Sequence, residues 1–304
     1  MNQRATTRGR DVHGILLFDK PAGLSSNQAL QRVRRLYAAR KAGHTGNLDP
    51  LATGLLPICF GEATKITPYL LDAGKRYRAL IRLGRRTSTG DLEGETIATA
   101  PVGPLTAGAV EEVLRRFLGP IEQVPPMHSA LKHRGEPLYR LAARGVEIER
   151  QPRRVTIHEL LLHDLGADAL DIEVACSKGT YIRTLAEDIG IALGTCAHLA
   201  NLRRLAVEQF RVDDAHALPE LEEMAVTGTV GLDDLLLPID AALAAMPAVT
   251  LTAATARYFA HGQAVHVNDL PVGVLRVYDP QRFLGLGEAL GDGRLAPRRL
   301  LNLG

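Results

Sequence analysis

The chain has 304 residues, 46% hydrophobic and 23% charged, with a net charge of +2. That length holds one large domain or a large and a small one, and the composition is that of an ordinary globular protein. No apolar run reaches the roughly 20 residues of a membrane span, Met1 to Gly14 carries no apolar leader segment, and Cys59, Cys176 and Cys196 form no CxxC pair, so a membrane protein, a disulfide framework and a zinc ribbon are not expected, and the cytoplasm is.

Gly14 to Phe18 predicts a buried strand, and Asp19-Lys20-Pro21-Ala22-Gly23 a turn. Ser25 or Ser26 then caps a helix with Ala29, Leu30, Val33, Leu36 and Tyr37 on one face, which leaves Arg32, Arg34 and Arg35 toward water or a ligand. Next comes Gly43 to Gly54, where a single acid, Asp49, stands among glycines, a histidine and Pro50. Glycine admits positive φ and close approach, and a residue before proline is biased to extended backbone. A stiff loop presenting one carboxylate is predicted. The same residue also reads as a cap for a helix starting at Pro50.

Tyr77 to Leu83 alternates as a strand, and Thr106 caps a helix carrying Val110, Val113, Leu114 and Phe117 that Gly119-Pro120 ends. Gln123 to Arg154 is basic and proline-punctuated, and reads as an insertion projecting from the main body. Val155 to Leu162 and Leu170 to Cys176 are strands, and a helix starts at Tyr181 and ends near Gly194. The acidic stretch after Val212 reads as surface helix. A boundary is placed near Pro247, giving parts 1–246 and 247–304. The second is β-rich, with strands at Val272 to Tyr278 and Phe283 to Ala289 and a short basic tail. It is near the lower size limit for a core of its own, so it should lean on the first.

Charge is uneven. Nine Lys or Arg precede Gly43 against Asp11 and Asp19, and seven lie between Met127 and Arg154, whereas Val212 to Ala256 has none. Such clustering suits a polyanion such as nucleic acid. With no tryptophan and few aromatics, base recognition should be confined to a pocket.

Several chemistries fail on motif. Neither a phosphate loop, a dinucleotide turn, a His-Glu-x-x-His pair nor a Gly-x-Ser-x-Gly elbow is present. What remains is one well-presented carboxylate with Lys20, His44, Tyr77, Tyr181 and Arg183 beside predicted strand ends. A carboxylate can act as a nucleophile at a glycosidic carbon. No second acid stands out in a comparable setting, so a reaction that neither adds nor removes atoms fits, with no metal and no cofactor. A bidentate bond from Arg183 would hold Asp49 ionised. An RNA-binding module without chemistry and a nucleoside or glycoside hydrolase are the rivals.

The chain resembles the TruB family of pseudouridine synthases. The likeness lies in Leu17 to Ser26, Gly43 to Pro57, Gly61 to Lys65, Lys75 to Arg78, Ser177 to Leu185, Leu202 to Leu205, Gly285 to Glu288 and Ala296 to Leu300, nearly the whole chain in order. Asn47 departs from the small residue or threonine more familiar there. The resemblance implies isomerisation of uridine 55 in the T-loop of tRNA, flipped out of its stack. Asp49 matches the essential aspartate, Tyr77 the tyrosine that packs on the base, and Arg183 the aspartate's partner. His44, Tyr181 and Leu202 match positions lining the uridine site, and Lys20 lies close by. An α+β fold is implied: a mixed, mainly antiparallel sheet flanked by helices, with a small PUA-like C-terminal module. Gln123 to Arg154 corresponds to the family's RNA-gripping thumb, with Arg150, Arg153 and Arg154 its candidate RNA contacts. A monomer with no obligate protein partner is expected.

Overall fold

The computed structural model describes residues 9–303. A ten-stranded sheet dominates it, with the main path running His216–Ala217, Gly14–Lys20, Thr53–Phe60, Ala197–Val207, Lys75–Leu83, Ala169–Cys176, Arg153–Leu165 and Gly119–Gln123. Gly14–Lys20 is parallel to His216–Ala217, and Thr53–Phe60 to Ala197–Val207. Every other pairing in the sheet is antiparallel. This is the mixed, mainly antiparallel architecture expected from the resemblance.

Both faces of the sheet's centre are covered. Leu16, Phe18, Leu56 and Ile58 pack under the helix Ser26–Leu36 with Ala29, Leu30 and Val33. Ile15, Leu17, Leu55 and Cys59 face the other way, against Ile66, Leu70, Ile239 and Leu243. A strand buried on both faces needs a continuous apolar run, and that is why Gly14 to Phe18 shows no alternation. Ser25 closes a capping box with Gln28 at the start of the first helix. Thr106 caps the helix Ala107–Arg115, as its spacing predicts.

No helix starts at Pro50. Ala52 N–H donates to the Asp49 carbonyl at 3.0 Å in a turn, and a strand follows from Thr53. The capping reading of Asp49 is therefore wrong. The insertion hangs from paired strand ends, with Gln123 opposite Arg153 and Glu122 opposite Arg154. It holds a short hairpin, Lys132–His133 with Glu136–Pro137, and the helix Leu138–Ala142. Its root does not project freely: Met127, Ser129 and Leu138 are buried.

Beyond residue 247 a separate five-stranded sheet runs Ala248–Thr250, Gly273–Tyr278, Phe283–Ala289, Arg294–Leu300 and Val265–His266. Leu251, Phe259, Leu275, Val277, Leu284 and Leu295 form its own core. Phe283 and Leu286 instead join the cluster of Ile15 and Leu17. Tyr278 Oη donates to Asp240 at 2.6 Å, and Lys65 Nζ to the Leu300 carbonyl at 2.8 Å. The basic tail is a strand, not a loose end: Pro297, which has no N–H to give, lies at the register shift beside Gly287.

Candidate active site

The loop carrying Asp49 joins Ala42–His44 to Thr53–Phe60, where the sheet turns parallel beside Ala197–Val207. It has no regular structure and is pinned from below. Ser26 Oγ donates to the Leu48 carbonyl at 3.0 Å and accepts from Leu48 N at 2.7 Å. Gly23 N donates to the Pro50 carbonyl at 2.8 Å. Lys20, fully buried, donates to the carbonyls of Leu24 at 2.6 Å, Pro21 at 2.9 Å and Pro50 at 3.4 Å. Burial drives the Lys20 ammonium down to about 8, against the pull of Asp49 nearby. Lys20 thus sits beneath the loop with its donors spent on backbone.

Asp49 keeps 39% of its side chain exposed, so solvent reaches one side while protein walls the rest. Burial raises its carboxyl pKa, Arg183 lowers it, Asp91 raises it, and Lys20 and His128 lower it. The balance lies above the ordinary value. Arg183 Nε is 3.2 Å from Asp49 Oδ2. The bidentate pair expected from the sequence does not form. The rest of the guanidinium is taken up elsewhere: Nη1 faces Asp91 Oδ2 at 3.3 Å and donates to the Thr89 carbonyl at 2.9 Å, and Nη2 donates to the His128 carbonyl at 2.6 Å.

Asp91 is 3% exposed and sequence reasoning missed it. Its Oδ1 accepts from Thr89 Oγ1 at 2.5 Å and from Glu93 N at 3.1 Å. The only signal was an acid in Thr89-Gly90-Asp91, and turns of that composition are common. The statement that no second acid shares the setting of Asp49 is corrected by this geometry.

Tyr77 is buried in Lys75–Leu83, directly opposite Arg204, and Leu202 is buried opposite Ala79, so the four side chains share one face. Burial raises the phenol pKa of Tyr77, and Arg204 opposes it. His44 accepts from Gly46 N through Nδ1 at 3.4 Å, which leaves its proton on Nε2. Burial, then Arg204, keeps this imidazole below its usual range and so neutral at pH 7. Tyr181 precedes the helix Ile182–Ala192 and has no side-chain cap. Gln123 fixes the backbone of Tyr181, accepting from its N–H at 3.0 Å and donating to its carbonyl at 3.2 Å. The root of the insertion therefore touches the site twice, at Tyr181 and at Arg183. Arg153 and Arg154 are exposed at the hinge of the insertion. Arg150 folds inward, 22% exposed, donating to Glu147 at 3.0 Å and the Pro125 carbonyl at 3.4 Å.

The structure thus gathers Asp49, Tyr77, Arg183, His44 and Lys20 around one loop, with Leu202 and Tyr181 beside them. In fold, the chain is similar to the Cbf5-Nop10-Gar1 complex (TM-score 0.69, 24% identity, covering 91% of this chain and 78% of that one). It is also similar to an H/ACA RNP bound to a substrate RNA containing 2′-deoxyuridine (TM-score 0.73, 20% identity, covering 95% and 85%). The fold is that of the pseudouridine synthases. A family model described as TruB family pseudouridylate synthase, N-terminal domain, matches residues 34–182. Models described as the C-terminal domain of tRNA pseudouridylate synthase B and as pseudouridine synthase II TruB, C-terminal, match residues 183–244 and 247–301. Proteins named tRNA pseudouridine synthase B are 53% identical in Nitrosococcus oceani, covering 99% of this chain and 98% of the relative, and 50% identical in Aeromonas salmonicida, covering 99% and 97%. The chain belongs to the TruB family of pseudouridylate synthases, isomerases that convert uridine in RNA to pseudouridine.

Proposed function

We propose that this protein isomerises uridine 55 in the T-loop of tRNA, with Asp49 as nucleophile on a uridine flipped into the pocket. The observation that carries the reading is the Asp49 carboxylate, open to solvent on one side and ion-paired to a buried arginine on the other. The reaction breaks the bond from N1 to the ribose C1′ and makes one from C5 to C1′. N1 gains a proton and C5 loses one, so nothing is added or removed. The protein has to hold a detached uracil, turn it and exclude water.

Flipping a stacked base costs a few kcal/mol. Phosphate contacts from basic residues offset that cost. The insertion at about 123–154 serves as a thumb on the RNA, with Arg153 and Arg154 outermost and Arg150 behind them. Tyr77 packs on the base, and Leu202, Tyr181 and His44 line its pocket. Lys20 shapes the loop from beneath. Arg183, shared between Asp49 and Asp91, supplies a fixed positive charge where the nucleophile must stay ionised. Residues 1–246 form the catalytic part and 247–304 a PUA-like module that adds RNA-binding surface. The protein acts as a monomer in the cytoplasm.

The test is to incubate the protein with an unmodified T-arm stem-loop and map pseudouridine chemically. Pseudouridine at the T-loop uridine supports the reading. Free uracil with an abasic ribose points to a hydrolase, and tight binding without either product points to an RNA-binding protein.

A further inference from the structure

Arg204 is 1% exposed, among the largest fully buried side chains in the protein. No carboxylate among the described residues forms an ion pair with it. Its guanidinium donates to three backbone carbonyls, Nε to Leu55 at 2.6 Å, Nη1 to Asn47 at 3.3 Å and Nη2 to Gly46 at 3.4 Å, and also hydrogen-bonds the Tyr77 hydroxyl. A buried cation without a counter-ion is costly unless neutral dipoles take up its donors. Those three carbonyls bracket Asp49, two before it and one after.

The backbone is built for this approach. Gly54, at φ +101, pairs with Arg204 across the parallel strands, and a Cβ there would stand 2.3 Å from the Arg204 carbonyl oxygen. Tyr77 faces Arg204 directly in the antiparallel register on the other side. One guanidinium thus touches both ends of the Asp49 loop and lies beside the tyrosine.

We propose that Arg204 is a positioning residue that sets the Asp49 loop and Tyr77 in one frame and places a fixed positive charge under the pocket. The proposal rests on the reading of Asp49 as nucleophile. A planar fork is needed because the three carbonyls are reached from three different nitrogens, and a lysine ammonium is a point charge on a flexible stem. The buried charge also adds to burial, the larger cause, in holding the His44 imidazole below its usual range.

The test compares Arg204→Gln, which removes the charge, with Arg204→Lys, which keeps it and loses the fork. Turnover of the unmodified T-arm stem-loop, RNA affinity and thermal melting are measured. The His44 imidazole is titrated by NMR, assigned with His44→Gln. Displacing a catalytic group by about 1 Å costs on the order of 100-fold, and Arg204→Gln is expected to lose kcat on that scale. KM and RNA affinity should stay within about threefold, the pattern of an interaction used in the chemical step. Arg204→Lys should fall between. The His44 midpoint should rise in Arg204→Gln and stay low in Arg204→Lys, a dependence on charge that a packing role does not produce.

Wild-type kcat with an unmoved His44 titration in Arg204→Gln overturns the proposal. So does loss of cooperative melting in both variants, which makes Arg204 a folding residue. Asp49→Asn run in parallel separates the two failures. If Asp49→Asn turns over normally, the nucleophile reading has failed. If it is inactive while Arg204→Gln is fully active, only the role of Arg204 has failed.

Discussion

Asp91 Oδ2 lies 3.3 Å from Arg183 Nη1, and the two side chains are 4% and 7% exposed. Asp49 meets the same guanidinium through Nε and remains much more open. Arg183 is therefore anchored by the buried acid and offered to the exposed one. On the proposed reading, this division of labour would let Asp49 leave its partner for substrate without stranding a buried cation.

Asp91→Asn tests that division. Removing one partner of a buried ion pair destabilises by about 3–5 kcal/mol, so a clear drop in melting temperature is expected. Arg183 loses its anchor, and kcat should fall about 10- to 100-fold, with RNA affinity nearly unchanged, as for a shifted transition-state contact. A variant with lowered stability but wild-type kcat would show that Asp91 only supports the fold.

The pH dependence follows from Asp49. Its carboxyl is raised above 3.8, chiefly by burial. If Asp49 is the nucleophile, turnover needs its ionised form and is expected to fall on the acid side at a pH above that of an exposed aspartate. For stability the sign is opposite. The folded state binds this proton more tightly than the unfolded chain, so Asp49 costs stability at neutral pH, and the cost fades as pH falls through the raised pKa. Asp49→Asn should thus melt at the wild-type temperature or above at pH 7. A marked loss of melting temperature would contradict the pKa direction.

On the proposed reading, the exposed Arg153 and Arg154 carry the salt dependence of RNA binding. Each phosphate contact contributes a slope of about 0.7–0.9 in a plot of log affinity against log salt. Changing both to alanine should weaken tRNA binding and flatten the slope by up to twice that amount. Arg150→Ala alone should change the slope little, because its guanidinium is held by Glu147 and the Pro125 carbonyl. Equal effects from all three would put Arg150 on the RNA after all.

Phe283 tests the junction at residue 247. It is 8% exposed and packs with Ile15, Leu17 and Ile239 although it belongs to the smaller sheet. Phe283→Ala should cost about 3–5 kcal/mol and split a single thermal transition into two. One unsplit transition at the wild-type temperature would show that the two parts do not depend on that contact.

Much of this molecule was legible in its residues. Ser25 and Thr106 cap helices because their hydroxyls reach orphan N–H groups, a local effect that spacing reveals. The alternation of Ala79, Ile81 and Leu83 gave a strand because one face is buried. What was hidden depends on pairs far apart in sequence. Arg183 was picked out as the partner of Asp49, but Asp91 looks like one more turn acid until the fold joins it to that arginine. The burial of Arg204 was not foreseen, since arginine is rarely buried without a carboxylate. The strand Arg294–Leu300 was masked by its charges and Pro297, which only a register shift accommodates.

The central claim is that Asp49 attacks the uridine, and Asp49→Asn tests it most directly. The variant is incubated with an unmodified T-arm stem-loop, pseudouridine is mapped chemically, and RNA affinity is measured on the same sample. No pseudouridine with near wild-type affinity is the predicted result. Pseudouridine at the wild-type rate would contradict the account.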